Sequence, residues 1–277
     1  MRLRAGRRST VAAARATFRR VSLRVAWISH CPVKGLALRQ LDECELTEGG
    51  IAGDREFFLV DENDRLVNSK GLGVLQQIVP RYDREAGSLT LAFPDGTTVS
   101  QEVGFDGSVS ARFWNVTVEV RVVDGPWSEA ISDFAGRDLR LVRAAGPATD
   151  RLRSGAATLL GTGSLQALAR ALGVDEVDER RFRMNFGIAG LGEHQEDEWL
   201  GRRLRLGDAI VVPQGNVGRC AITTQNPDSG APDLDTLKAL VAYRGAVETT
   251  EPLPFGVYAA VAEPGRVRVG DSVGPAN

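Results

Sequence analysis

Between residues 22 and 123, short apolar runs alternate with polar turn clusters, the pattern of a β-rich segment. The runs at 22–27, 41–46, 56–60, 89–93 and 116–122 are rich in β-branched and aromatic residues. Clusters such as Glu62-Asn63-Asp64 and Pro94-Asp95-Gly96 separate them. A helical pattern follows at 127–134, with a stop at Gly136. Residues 144–156 are rich in Ala, Gly, Arg and Pro without periodicity, so a boundary is placed there, dividing 22–143 from 144–277. The second half predicts strands at 157–160, 182–188, 209–212, 217–224, 256–261 and 266–269. Helices are predicted at 164–172, ending at Gly173, and at 234–243. No internal repeat is visible. Many short strands with few helices predict a mainly β (α+β) chain of two β-barrel-like domains, not a doubly wound sheet.

Composition changes this picture little. An apolar fraction of 43% and a charged fraction of 25% are those of a soluble globular protein. No run approaches the roughly 18 apolar residues of a transmembrane segment. Charge is more telling. Residues 1–21 hold seven arginines and no acid, which leaves 27 basic against 36 acidic residues in the rest, a net charge of −9. An acidic body of this kind excludes nucleic acid as the expected partner. The basic tail has the composition of a mitochondrial presequence. Yet arginine is the default cation throughout, with 31 against three lysines (Lys34, Lys70, Lys238), so a disordered tail on a cytoplasmic bacterial protein is the preferred expectation. Three cysteines without CxxC spacing argue against a disulfide framework and for a reducing compartment.

One of those cysteines stands in Gly218-Arg219-Cys220-Ala221-Ile222-Thr223-Thr224-Gln225-Asn226-Pro227-Asp228-Ser229-Gly230. A β-branched stretch thus carries one thiol beside an arginine, which favours thiolate, into a Pro-Asp-Ser-Gly turn. A lone thiolate suits a soft metal whose other ligands come from a cofactor. The competing reading is a small buried hydrophobe. Arg181-Phe182-Arg183-Met184-Asn185, taken as a strand, puts Arg183 and Asn185 on one face, suited to a phosphate and a heterocycle edge. A solvated strand edge would look the same. Gly161-Thr162-Gly163-Ser164 precedes a helix but lacks the third glycine of a dinucleotide fingerprint, since position 166 is Gln166. Thr162 and Ser164 remain candidates for holding an anionic oxygen at the helix N-terminus, with Ser164 as a plain cap the alternative. His194, in Glu193-His194-Gln195-Glu196-Asp197, has too few metal-ligating neighbours for a zinc site, and nothing in the sequence sets it beside Cys220 as a nucleophile pair.

Near the front, Cys31-Pro32-Val33-Lys34-Gly35 is followed by Gly53-Asp54-Arg55-Glu56-Phe57-Phe58-Leu59-Val60-Asp61. Near the end, Leu253-Pro254-Phe255-Gly256-Val257-Tyr258 precedes Val267-Arg268-Val269-Gly270-Asp271. In this order the motifs resemble the MOSC family, the domain shared by molybdenum-cofactor sulfurase C-termini and the amidoxime-reducing proteins. The likeness covers about residues 22–273. It implies a β-barrel domain before the MOSC domain, with a cleft between them for Mo-molybdopterin. The cysteine matching Cys220 binds molybdenum in that family. Lys34, Arg55, Arg183 and Asn185 match residues that fix the phosphate and pterin. Gly218 and Arg219 belong to the cysteine signature, and Tyr258 matches a tyrosine near the metal. Gly35 departs from the pattern by standing where the amidoxime reducers have serine, so one hydrogen bond is missing or comes from a backbone N–H.

The reaction implied is two-electron reduction of N-hydroxylated small molecules such as amidoximes or hydroxylamines, with the oxygen leaving as water. A non-catalytic carrier of cofactor, or of sulfur on Cys220, is the alternative. With no complete dinucleotide fingerprint and no cysteine spacing for an iron–sulfur cluster, electrons are expected from a separate flavin, haem or iron–sulfur protein.

Overall fold

The computed structural model describes residues 22–146 and 152–276. The basic stretch 1–21 lies outside the described residues. The architecture is mainly strands with three α-helices, α1 (Trp127–Ala135), α2 (Thr162–Leu172) and α3 (Thr236–Arg244). The helix signals in the sequence hold for physical reasons. Gly136 and Gly173 follow α1 and α2 with φ of 63° and 70°, the left-handed geometry that stops a helix cheaply at glycine.

The largest sheet has eight strands. Its order is Val273–Pro275, Leu204–Leu206, Ala209–Gly218, Pro254–Glu263, Ala157–Gly161, Phe186–Ala189, Arg24–His30, Arg39–Leu41. Of the two first-half strands at its edge, Arg24–His30 pairs directly with the second half, Ile28 opposite Phe186, and Arg39–Leu41 pairs with Arg24–His30. Sheet pairing therefore crosses the boundary expected near residue 144. Ala157–Gly161 and Phe186–Ala189 run parallel, joined through α2; the other neighbours in this sheet are antiparallel.

A five-stranded antiparallel sheet (Gly104–Phe113, Val116–Asp124, Arg140–Ala144, Phe57–Val60, Leu66–Val67) forms the body of the first half. Its strand Phe57–Val60 is buried on both faces, which is why it reads as an unbroken apolar run. Phe57 and Leu59 enter a core with Leu75, Leu89, Trp127 and Leu141, while Phe58 and Val60 pack with Phe113 and Val142. Anchored from both sides, this strand holds what precedes it. Lys34 N donates to Phe57 O at 2.8 Å, and Arg55 N donates to Cys31 O at 2.8 Å, so both cations are brought to one end of the sheet.

Two sequence expectations need correction. The strand expected at 182–188 begins only at Phe186, because Glu179–Phe182 is a 3₁₀ turn capped by Asp178, whose carboxylate accepts from Arg180 N at 2.8 Å. The strands expected at 209–212 and 217–224 are one strand, Ala209–Gly218, followed by a 3₁₀ turn at Ala221–Thr224. Among the described residues, no helix is long and apolar enough to cross a membrane.

Candidate functional site

A cavity of about 400 Å³ opens between the two halves. Nine of the eleven residues singled out in the sequence line it: Lys34, Gly35, Arg55, Arg183, Asn185, Gly218, Arg219, Cys220 and Tyr258. They come from five separate stretches, brought together by the ends of the two large sheets.

Cys220 is exposed, two residues beyond the strand Ala209–Gly218. Its backbone is extended (φ −132°, ψ −178°), and its carbonyl accepts from Thr223 N at 3.2 Å and Thr223 Oγ1 at 3.1 Å. Thr223 Oγ1 lies 2.8 Å from Thr236 Oγ1 at the start of α3, so the turn bearing the thiol is tied to a helix. The strand approaches the turn through close crossings that only glycine permits. A Cβ on Gly215 would sit 2.6 Å from the Tyr258 hydroxyl, and one on Gly218 would sit 2.9 Å from Glu251 Oε2. Arg219 does not simply stand beside the thiol. Its guanidinium donates to Phe182 O (3.0 Å), Phe255 O (2.9 Å) and Met184 Sδ (2.9 Å), bracing the facing wall.

That wall is the stretch expected as a strand. Arg183 instead has φ +53°, left-handed, which sends its side chain away from the path of Arg181. Arg183 donates to Leu36 O at 2.7 Å and contacts Cys31 Sγ at 3.6 Å, while Arg181 forms a fork with Asp233 at 2.6 and 2.9 Å. Burial lowers the pKa of the Arg183 guanidinium, with the nearby Arg55 cation acting the same way. The Cys31 thiol is pushed up by burial, against the pull of Arg183, and it donates to Val33 O at 2.9 Å.

A carboxylate that sequence reasoning did not select organises the polar floor. Asp54 is buried; its Oδ1 accepts from Cys31 N at 2.7 Å, and its Oδ2 accepts from Asn185 Nδ2 at 3.0 Å and from Arg55 Nη1. Arg55 in turn donates to Arg183 O at 2.9 Å. Asn185 has both amide protons committed, to Asp54 and to Ser29 O, and its Oδ1 accepts from Thr158 at 2.9 Å. One lone pair of Oδ1 therefore remains, and Asn185 serves mainly to fasten the two halves. Lys34 is buried at 8% exposure, its Nζ 5.4 Å from the Phe113 ring centroid. The only local signal for Asp54 was its place before Arg55; Ser69 and Lys70, which also line the cavity, lie in a turn with no signal at all.

Thr162 and Ser164 are not brought to the cavity. α2 starts at Thr162, so Ser164 lies inside the helix instead of capping it. Ser164 is fully buried; its hydroxyl donates to Glu196 Oε1 at 2.7 Å and accepts from His194 N at 3.0 Å. Glu196 also accepts from Gly161 N at 3.2 Å. The anionic oxygen expected at this helix N-terminus is thus the protein's own carboxyl, whose pKa burial raises. His194 packs between the Tyr243 and Phe255 rings, each 5.7 Å away, and burial pushes its pKa down to about 4. It does not line the cavity with Cys220.

Residues 22–137 match the family model of the MOSC N-terminal beta barrel domain, and residues 150–274 match that of the MOSC domain. A molybdenum cofactor sulfurase from Oryza sativa subsp. japonica is 26% identical over 77% of this chain and 30% of its own length. Mitochondrial amidoxime-reducing component 1 from Mus musculus is 35% identical over 35% of this chain and 30% of its own length. The human mitochondrial amidoxime reducing component 2 is 36% identical over 33% of this chain and 29% of its own. The chain spans about a third of the length of the curated relatives it matches.

Proposed function

We propose, taking as premise that this chain belongs to the MOSC family as a MOSC N-terminal beta barrel domain followed by a MOSC domain, that it is a molybdenum-cofactor-dependent reductase of N-hydroxylated small molecules. The observation that carries this reading is one cavity holding an exposed thiol together with the cations Lys34, Arg55 and Arg183. The donor set fits Mo-molybdopterin. A thiol is a soft ligand, and three cations suit a phosphate monoester. Among the described residues, no group of three or more His, Cys, Asp or Glu could hold a metal, so a metal at Cys220 needs its other donors from a cofactor.

Cys220 would give the protein's sulfur ligand, held in place by its turn and α3. Lys34, Arg55 and Arg183 would neutralise the phosphate, and Asp54 would aim Arg55 and Asn185. When bound, the cofactor supplies the two-electron chemistry. The balance is simple: the N–O bond breaks, two electrons and two protons enter, and the amine or amidine leaves with one water. Electrons would come from a separate electron-transfer protein docking near the exposed Cys220 turn. The acidic body would orient a basic partner over a modest interface.

The test is elemental analysis for molybdenum on protein from a cofactor-competent host, with benzamidoxime turnover using an artificial electron donor. Stoichiometric molybdenum with turnover supports the reductase. Bound molybdenum without turnover favours a carrier, a reading that the resemblance to cofactor sulfurases keeps open. Neither metal nor turnover would defeat both.

A further inference from the structure

Lysine is scarce in this chain, three against 31 arginines, yet two of the three line the same cavity. Lys34 is buried there, and Lys70 reaches it from an exposed turn. A compact ammonium suits a single oxygen, where the planar guanidinium fork suits two. Next to Lys70 in the chain stands Ser69. It is fully buried and lines the cavity, and its hydroxyl has no hydrogen-bond partner among the described residues. A buried, unpaired hydroxyl destabilises the protein that carries it, and such a group marks a place where something else completes the bond.

The backbone explains why these two residues stand so close to Lys34. Gly35 has φ +93°, and a Cβ there would meet Asn68 Cα at 3.1 Å and Ser69 N at 3.2 Å. A serine at 35 would therefore be strained by the left-handed φ and would press against the Asn68–Ser69 backbone. The turn is firm: Asn68 Oδ1 accepts from Lys70 N at 3.0 Å, and Asn68 O accepts from Leu72 N at 3.2 Å. Gln225 Nε2 also donates to Lys70 O at 3.5 Å, tying the turn to the segment after Cys220.

We infer that Ser69 and Lys70 form, beside Lys34, an anchor for the oxygens of a phosphate monoester, the hydroxyl of Ser69 standing in for the one that Gly35 cannot supply. This rests on the cofactor reading above, with the phosphate being that of the bound cofactor. Ser69 donates its hydroxyl proton to one phosphate oxygen, and Lys70 contributes charge at the solvent side, where salt weakens it.

The experiment compares wild type with Ser69→Ala, Lys70→Ala, Lys70→Arg and the exposed helix control Lys238→Ala, all from a cofactor-competent host. Molybdenum and pterin per chain are measured after dialysis against increasing inorganic phosphate, and melting temperatures are taken on cofactor-free protein. Ser69→Ala should lose cofactor at roughly tenfold lower phosphate, a factor corresponding to about 1.4 kcal/mol. Its cofactor-free melting temperature should be unchanged or higher, because an unpaired buried hydroxyl has been removed. Lys70→Ala should lose cofactor more readily at low salt, with Lys70→Arg between it and wild type, and Lys238→Ala should match wild type. Wild-type retention in both Ser69→Ala and Lys70→Ala overturns the inference and leaves the cofactor reading standing. A lower cofactor-free melting temperature in Ser69→Ala overturns it too, by making the hydroxyl structural. Wild-type protein without pterin or molybdenum overturns both.

Discussion

Gly73 and Gly230 cross with their backbones in contact, and this crossing joins the segment after the turn that bears Ser69 and Lys70 to the loop that follows Cys220. A Cβ on Gly73 would lie 2.9 Å from the carbonyl carbon of Gly230 and 3.2 Å from its Cα, and deeper still inside contact with its carbonyl oxygen. Carbon atoms prefer about 3.5–4.0 Å, so Gly73→Ala must part the two segments by roughly an ångström. Both partners are backbone, and neither can rotate aside. Three bonds span the gap: Gln76 Nε2 to Gln225 Oε1 at 2.8 Å, Gln77 Nε2 to Ser229 O at 3.0 Å, and Gln225 Nε2 to Lys70 O at 3.5 Å. Overpacking of this kind costs about 1–3 kcal/mol, and each strained bond adds up to about 1 kcal/mol. A total near 3 kcal/mol lowers the melting temperature by roughly 6–12 °C in a chain of this size. Gly230→Ala carries a deeper clash, its Cβ lying 2.8 Å from Gly73 Cα and closer still to the Gly73 carbonyl, plus a φ of +74°, which adds about 1–2 kcal/mol for any L side chain. Thermal melts of both variants are followed by near-ultraviolet dichroism, and Gly230→Ala, with the deeper clash and the positive φ, should melt below Gly73→Ala. A Gly73→Ala protein melting within about 1 °C of wild type would refute the argument, since the crossing would then be elastic.

Cys220→Ser should leave the melting temperature unchanged, because the residue is exposed, yet abolish molybdenum retention, since a hydroxyl is a poor soft-metal ligand. Arg55→Ala and Arg183→Ala should each weaken cofactor retention by roughly ten- to a hundredfold, from a charge-assisted pair worth about 1.5–3 kcal/mol. Arg181→Ala should do the opposite, lowering the melting temperature while folded protein keeps its cofactor, because its fork belongs to Asp233. His194, held at about 4 against an ordinary 6.5, contributes stability that is present above pH 6.5 and lost as pH falls toward about 4. Glu196 works in the other direction, its raised pKa giving stability below its unfolded value that is lost as pH rises. Urea midpoints across this window should therefore fall less with acid in His194→Gln and more in Glu196→Gln; unchanged slopes in both would refute the assignment.

Fold class was legible because the strands that build the cores carry apolar faces. Phe57–Val60 reads as an apolar run because two cores share it, and α1 and α2 announce their ends with Gly136 and Gly173. Thr98–Glu102 escaped notice because most of its side chains face solvent, and Gly104–Phe113 because its alternation of Phe105, Val109, Ala111 and Phe113 is broken by Gly107 and an irregular register between Phe105 and Ser108. The stretch around Arg183 misled for a different reason. Alternating Arg and apolar residues mimic a strand, while the deciding interaction is the Asp178 cap on Arg180 N, which winds a 3₁₀ turn and throws Arg183 into the left-handed region. Periodicity carries no record of a cap.

Two places in this chain offer backbone or side-chain donors to an anion, and what separates them lies far away in sequence. At the N-terminus of α2, Glu196, 35 residues after Gly161, sets its carboxyl against the Ser164 hydroxyl and Gly161 N just ahead of the helix, so the protein's own acid occupies that position. Behind the cavity wall, Asp54 is already shared by Cys31 N, Asn185 and Arg55. Lys34, Arg55 and Arg183 line that cavity together, and a low-dielectric wall strengthens the electrostatic interactions made there. Local motifs identify the donors in both places. The distant acid Glu196 holds Ser164 in the core, while Arg183, Lys34 and Ser69 line the cavity.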